Sequence, residues 1–374
     1  MADGTAAGQP GEGGDTAPVF ATTPGNSPLA PMPADYCPPG TGRWYVLPSG
    51  KDRGKKLFFW DATFGEGTPR ATFLFVHGNP ESSLTYGPTI ATMRAAATGA
   101  FRVVAVDHIG FGLSDQADFE MVDMHHADNL ARLVTALDLR DVTLVIHDWG
   151  GPIGTGAFLD QPERVTGLAL MNTTIFPMPA TGPVYTSFPV PVLLPWTYLG
   201  HVVPDRLWRF VPPMVMFSPG NPFDFVCRHV PNFAWRAMTG RLTPEETLYK
   251  RAFSPKANAR ASRRHVKQTR VWGHGYRYRD PRHGMQDNHD FYRRLQNDLV
   301  PEWRDRAIDA VAFFGLWDPC GKAEVQLQWL EALPRLNGHI HRFPGVGHFV
   351  EEHRFDVIGR EILRLKGLLA DDRG

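Results

Sequence analysis

Cysteine is scarce in this 374-residue chain. Cys37, Cys227 and Cys320 are the only three, and no Cys-x-x-Cys pair occurs. An odd, widely spaced set of this kind builds neither a disulfide framework nor a zinc site made of cysteines. We therefore expect a protein of the reducing cytoplasm, with no structural metal.

Net charge and long apolar runs are also missing. Lys plus Arg number 39 and Asp plus Glu number 39, so the formal net charge is zero, and a neutral chain has no overall attraction for nucleic acid. No run reaches the about eighteen apolar residues of a membrane-spanning helix, and the first residues lack the basic and apolar regions of a secretory signal. These absences predict a soluble protein that neither binds nucleic acid nor inserts into a membrane. The sequence does not reveal its oligomeric state.

Residues 1–43 are rich in Gly, Pro, Ala and Thr and contain few large aliphatic side chains. Such a composition cannot bury enough apolar surface to offset the conformational entropy lost on ordering. We expect a flexible N-terminal tail that is pinned at its end by the aromatic residues between Tyr36 and Tyr45.

Beyond the tail, short and continuously apolar runs alternate with stretches of helical spacing. Runs that are apolar on both faces indicate parallel strands covered by helices on both sides of a sheet. The pattern predicts a doubly wound, mostly parallel α/β sheet. The predicted strands lie at 71–76, 103–106, 142–146, 167–171, 310–314 and 339–343.

The alternation stops between residues 176 and 305, where Pro, Phe, Trp and Arg are frequent. The sequence Thr243-Pro244-Glu245-Glu246 is typical of a helix start, with a capping Thr, a proline in the first turn and a Glu three residues on. We interpret 176–305 as a helical cap inserted into a core formed by 44–175 and 306–374.

The most informative segment is Leu144-Val145-Ile146-His147-Asp148-Trp149-Gly150-Gly151. An apolar strand that runs into a polar residue and two glycines is the layout of a nucleophile elbow, with Asp148 where serine is usual. A carboxylate displaces a leaving group at an sp³ carbon without first losing a proton, and forms an alkyl ester. The alternative is that Asp148 merely caps the following helix.

Three other segments favour the catalytic interpretation. His77-Gly78-Asn79-Pro80 follows an early strand, where α/β-hydrolases place oxyanion donors. Asp318 follows the strand that ends at Phe314, and His348 follows the last strand. The order nucleophile, acid, histidine is the one expected for the α/β-hydrolase fold.

These motifs, together with Asp107-His108-Ile109-Gly110-Phe111-Gly112-Leu113-Ser114-Asp115, resemble the haloalkane dehalogenase family of α/β-hydrolases. The resemblance covers about 71–179 and 313–350 and is weak over the cap. It implies that Asp148 is the nucleophile and that His348 is the base, oriented by Asp318. It further implies that Asn79 and Trp149 bind the departing halide and stabilise the oxyanion, and that no metal or cofactor takes part. In another subgroup the acid stands near Asn172, which is not acidic here.

Several functions share this scaffold. Haloalkane hydrolysis, on a small apolar substrate, is the first hypothesis. The stretch 171–179 is similar to β-lactone decarboxylases of olefin biosynthesis, so decarboxylation stays open. Epoxide hydrolysis requires a proton donor such as a cap tyrosine, and candidates are Tyr185, Tyr198, Tyr249, Tyr276, Tyr278 and Tyr292. A relative that only binds a ligand would have no need of all three predicted catalytic residues.

Overall fold

A computed structural model of the chain describes residues 17–179, 200–219 and 221–370. Its central feature is a nine-stranded sheet with the strand order β1-β2-β3-β5-β4-β6-β7-β10-β11. The strands are β1 (Phe20–Ala21), β2 (Gly42–Val46), β3 (Lys56–Phe64), β4 (Thr72–Val76), β5 (Phe101–Val106), β6 (Val142–His147), β7 (Val165–Met171), β10 (Asp309–Gly315) and β11 (Ile340–Phe343), and a separate hairpin comprises β8 (Arg277–Asp280) and β9 (Gly284–Asp287).

Six neighbouring strands run parallel, in the order β5, β4, β6, β7, β10 and β11. At one edge of the sheet, β1, β2 and β3 pair antiparallel. Every residue of β6 is buried, which explains why this strand reads as a continuous apolar run. All six predicted strands are present, and the predicted α/β fold class is confirmed. Because the central strands are parallel, the segments that follow β4, β6, β10 and β11 emerge at one edge of the sheet.

Helices cover the sheet and build most of the segment between β7 and β10. The α-helices of the described residues are α1 (Gly87–Ala96), α2 (Asp123–Ala136), α3 (Gly150–Gly156), α4 (Asp205–Trp208), α5 (Val211–Met216), α6 (Pro222–Asp224), α7 (Val230–Met238), α8 (Pro244–Ala252), α9 (Lys256–Gln268), α10 (His289–Arg294), α11 (Val300–Asp305), α12 (Ala323–Ala332) and α13 (Val350–Leu365). In the described ranges, no helix combines the length and apolarity that a bilayer crossing requires.

The N-terminal region differs from the expected tail. From residue 17 onward the chain is packed on the core, and Leu29 and Tyr36 are buried. The hydroxyl of Tyr36 donates to Asp107 Oδ2 at 2.8 Å. Asp107 also accepts backbone N–H groups of Ser83 and Leu113, so one buried carboxylate ties three segments together. The predicted flexibility of 1–43 is therefore wrong for 17–43, and residues 1–16 lie outside the described ranges.

The inserted segment, residues 176–305, contains the helix start that the sequence predicts. The Thr243 side chain accepts from the N–H of Glu246 at 3.1 Å, and the Glu246 carboxylate accepts from the N–H of Thr243 at 2.9 Å. This reciprocal capping box begins α8. The hairpin of β8 and β9 is an addition to the expected helices. The boundaries at 176 and 305 stay predictions, and residues 180–199 are not described.

Candidate active site

Asp148 occupies the turn between β6 and α3 in a left-handed backbone conformation, with φ of 48°. A Cβ atom on Gly150 would overlap the carbonyl oxygen of Val76, so the second residue after Asp148 must be glycine for α3 to approach the sheet. The Thr173 hydroxyl donates to the Asp148 carbonyl at 2.6 Å. A strained, tightly packed turn thus places a single carboxylate at the edge of the sheet.

The structure brings the three predicted catalytic residues together. His348 Nε2 lies 3.3 Å from Asp148 Oδ1, and His348 Nδ1 lies 2.7 Å from Asp318 Oδ2. The other oxygen of Asp318 accepts the backbone N–H of Cys320 at 2.8 Å. One imidazole therefore bridges two carboxylates that are 170 residues apart in the sequence.

The charge state of His348 follows from this geometry. Burial disfavours the imidazolium, but the carboxylates of Asp318 and Asp148 outweigh that cost and raise the pKa of His348 well above its ordinary value. The resting site therefore holds a proton between the imidazole and its two acidic partners.

Asn79 and Trp149 also lie at the carboxylate. The backbone N–H of Asn79 donates to Asp148 Oδ2 at 2.7 Å, and the carboxamide Oδ1 of Asn79 is buried without a hydrogen-bond partner in the described structure. The Trp149 indole stacks on Trp272 of the inserted segment, with ring centroids 4.3 Å apart. The sequence located both residues, but not the second indole.

A cavity lies above the carboxylate, and its walls are mostly apolar. Asp148, Asp318, His348 and Asn79 supply the polar groups at its base. The inserted segment supplies Met178, Trp208, Val211, Val215, Val266 and Trp272. Within the described ranges no tyrosine lines this cavity. Tyr185 and Tyr198 lie outside those ranges.

Three functional candidates were not identified by the sequence analysis: Glu81, His147 and Glu351, whose side chains are fully buried beneath the predicted catalytic residues. His147 Nδ1 donates to Glu81 Oε1 in a very short contact, and His147 Nε2 lies 3.5 Å from Glu351 Oε2. The sequence feature that could have identified them is their position, because each of them lies within three residues of a predicted site residue. We call these three residues the buried cluster.

The buried cluster is the group in the described part of the chain whose ligand atoms lie close enough to hold a metal ion, all within 4.8 Å. Its geometry fits a proton better. Both ring nitrogens of His147 face acceptors, Nδ1 the carboxylate of Glu81 and Nε2 the carbonyl oxygen of His348 at 2.9 Å, so neither lone pair is directed at a metal ion. The expected absence of metal and cofactor stays a prediction.

Comparisons with known proteins agree with this geometry. Residues 71–202 match the model of the alpha/beta hydrolase fold. The chain is 35% identical over 135 residues to a cis-3-alkyl-4-alkyloxetan-2-one decarboxylase of Shewanella oneidensis, covering 35% of this chain and 40% of that protein. It is 36% identical over 145 residues to a haloalkane dehalogenase of Mycolicibacterium smegmatis, covering 37% and 44%. The chain thus spans less than half the length of these two curated relatives.

Solved structures extend the likeness of the fold to most of the chain. The haloalkane dehalogenase DpaA of Paraglaciecola agarilytica superposes with a TM-score of 0.60 at 20% identity, covering 87% of this chain and 94% of that one. DatA of Agrobacterium tumefaciens gives a TM-score of 0.58 at 20% identity, covering 88% and 98%. The chain has the α/β-hydrolase fold, and parts of it are similar in sequence to a haloalkane dehalogenase and to a β-lactone decarboxylase.

Proposed function

We propose that the protein hydrolyses a small apolar haloalkane through a covalent ester on Asp148. The observation that carries the proposal is the elbow carboxylate, which faces an apolar cavity and lies 3.3 Å from His348. A serine at this position would indicate acyl transfer, whereas a carboxylate attacks an sp³ carbon directly.

In the first step an oxygen of Asp148 displaces halide from the substrate carbon. The halide leaves as an anion and needs N–H donors rather than a general acid. Asn79 and Trp149 line the cavity at the nucleophile, and they are the donors that we assign to the departing ion. The apolar walls exclude water and strengthen these interactions.

In the second step His348 activates water against the ester. Esterification removes the negative charge of Asp148, one of the two charges that raise the pKa of His348. The pKa of the imidazole therefore falls when the ester forms, and the ring becomes free to accept a proton from water. Asp318 then stabilises the resulting imidazolium, and we assign the backbone N–H of Asn79, which donates to Asp148 Oδ2, to the oxyanion that develops on the ester.

β-Lactone decarboxylation is the second candidate, favoured by the 35% identity to the Shewanella decarboxylase. The same nucleophile and base serve either substrate, so the triad does not separate the two reactions. Epoxide hydrolysis is less well supported, because its alkoxide leaving group needs a proton donor and no described tyrosine lines the cavity.

Product analysis assigns the reaction. Purified protein is incubated with chlorinated and brominated alkanes, with a dialkyl β-lactone and with an alkyl epoxide, and halide, alkene and diol are measured. Halide release with alcohol formation supports the proposal. Alkene from the lactone without halide release replaces it with the second candidate.

The covalent step has its own test. After a single turnover in H₂¹⁸O, peptide mass analysis is expected to find label in Asp148, and Asp148→Asn serves as the unlabelled control. In His348→Gln the first displacement needs no base, so the ester accumulates while turnover falls by about 10²–10⁴. Label found only in the product, or no adduct despite substrate binding, rejects the mechanism.

A further inference from the structure

We propose that Glu81 and His147 are positioning residues of the catalytic base: they form a buried ion pair beneath His348 that fixes its carbonyl group, and the His147 imidazolium offsets the attraction of the Glu81 carboxylate for a proton on that ring. The inference rests on the proposed function for its catalytic meaning, but the geometry stands independently. Neither residue is among the catalytic residues that the sequence motifs predict.

The ion pair connects the loops that carry the catalytic groups. His147 immediately precedes the nucleophile. Glu81 follows the Asn79 turn, and its Oε2 accepts the backbone N–H of Gly78 at 2.6 Å. His147 Nε2 donates to the carbonyl oxygen of His348 at 2.9 Å. One buried pair thus links the nucleophile elbow, the oxyanion turn and the histidine loop.

The hydrogen bonds assign a positive charge to His147. Its two ring nitrogens face acceptors, the Glu81 carboxylate and the His348 carbonyl, so both must carry protons. Burial opposes that charge, but the carboxyl groups of Glu351 and Glu81 outweigh it and raise the pKa of His147 to about 9. Glu81 correspondingly has its pKa lowered to about 2, although burial alone would raise it.

This charge acts on the catalytic base because the rings of His147 and His348 are close, with centroids 4.8 Å apart. Two neighbouring imidazolium ions repel each other. Asp148 and Asp318 hold a proton on His348, whereas the imidazolium below it favours release. Other titratable groups also face the ion pair: Glu351, Glu352, His77, Tyr86 and Tyr249.

The competing explanation is that the pair only holds the His348 carbonyl in place and has no electrostatic effect on the ring. Asn172 allows these two explanations to be distinguished. Its side-chain N–H also donates to the His348 carbonyl, at 2.7 Å, but it carries no charge. Removing this amide loosens the same carbonyl, together with the bonds to the Gly347 carbonyl and the Gly315 N–H, but it removes no charge. Asn172→Ala is therefore the matched control for His147→Gln.

The test follows the titration of His348 by NMR in protein labelled at histidine, assigned with His348→Gln, beside the pH profile of turnover. His147→Gln leaves the Glu81 carboxylate unpaired, so both the titration and the acid limb of activity are expected to move to higher pH by about one unit or more. In Glu81→Gln/His147→Gln both charges are absent, and most of the shift is expected to disappear. Asn172→Ala is expected to lower turnover without moving either curve.

Equal pH profiles for His147→Gln and Asn172→Ala overturn the electrostatic role. Should His147→Gln fail to fold, the unmodified protein decides the matter, because His147 must show protons on both nitrogens at pH 7 and titrate near pH 9. A neutral His147 at pH 7, or a stoichiometric metal ion in the purified protein, also overturns the proposal. The NMR readouts need no substrate, so failure of the proposed reaction leaves them interpretable.

Discussion

The ion pair of Glu81 and His147 makes a sharp prediction about stability. Both side chains are fully buried, so removing one partner leaves the other without compensation in a medium of low dielectric. Breaking a buried pair in this way costs about 3–5 kcal/mol. The structure supports a similar magnitude, because a pKa of about 9 for His147 against its ordinary 6.5 corresponds to about 3 kcal/mol.

His147→Gln is therefore expected to lower the free energy of unfolding by about 3–5 kcal/mol. Glu81→Gln/His147→Gln removes both charges of the pair. It is expected to recover most of that loss, because burial raises the pKa of the remaining Glu351 carboxyl and favours its neutral form. Urea denaturation of the two single variants and the double variant measures the coupling directly. Because the double variant is expected to lose less stability than either single variant, the coupling energy is expected to exceed the loss in either one. If the single variants and the double variant lose the same free energy of unfolding, the pair is not held together by charge.

The pH dependence provides an independent check with a defined sign. His147 has a raised pKa, so its contribution is complete below pH 6.5 and is lost as the pH rises toward about 9. Glu81 has a lowered pKa, so its contribution is complete above pH 4.5 and is lost as the pH falls toward about 2. The stability difference between the unmodified protein and the double variant is thus expected to be largest between these windows, near pH 5.5. If this stability difference does not decrease as the pH is raised from 6 to 9.5, the assigned charge of His147 is contradicted.

Three further predictions test other parts of the structure. Gly150→Ala, whose Cβ would overlap the Val76 carbonyl, is expected to yield little folded protein, whereas Gly87→Ala, which has open space around the new atom, keeps a thermal midpoint near that of the unmodified protein. Tyr36→Phe removes the 2.8 Å bond to Asp107 and is expected to cost about 1–3 kcal/mol of stability by urea denaturation; an unchanged midpoint would contradict the anchoring of 17–43. Asp318→Asn is expected to slow turnover by about 10²–10⁴ while rapid-quench analysis still detects the ester, and loss of the ester itself would assign Asp318 to the first step.

The strands and the elbow were predictable because their signals are local. A strand buried on both faces has a continuous apolar run, and the turn after β6 requires small residues wherever a helix approaches a strand closely. The positions of Asp148, Asp318 and His348 each follow a recognisable strand end. Parallel strands bring such ends to one edge of a sheet, so their meeting was predictable as well.

The prediction for the N-terminal region was wrong because amino-acid composition does not show which distant segments a residue contacts in the folded protein. Gly and Pro between residues 17 and 43 indicate low helix and strand content, and β1 indeed has only two residues. The segment is nevertheless held by single contacts over long sequence distances, as between Tyr36 and Asp107, 71 residues apart. No local periodicity marks such contacts.

By itself, the sequence determined the fold class, and it predicted Asp148 as the nucleophile and the order of the catalytic groups, because these inferences depend on residue type and on spacing along the chain. Only the tertiary structure decided that Glu81 and His147 pair beneath His348. Their side chains read as ordinary polar residues beside motifs, and the contacts span 66 and 201 residues. The charge of a buried group depends on which other groups surround it in space, and that arrangement arises only when distant segments pack together.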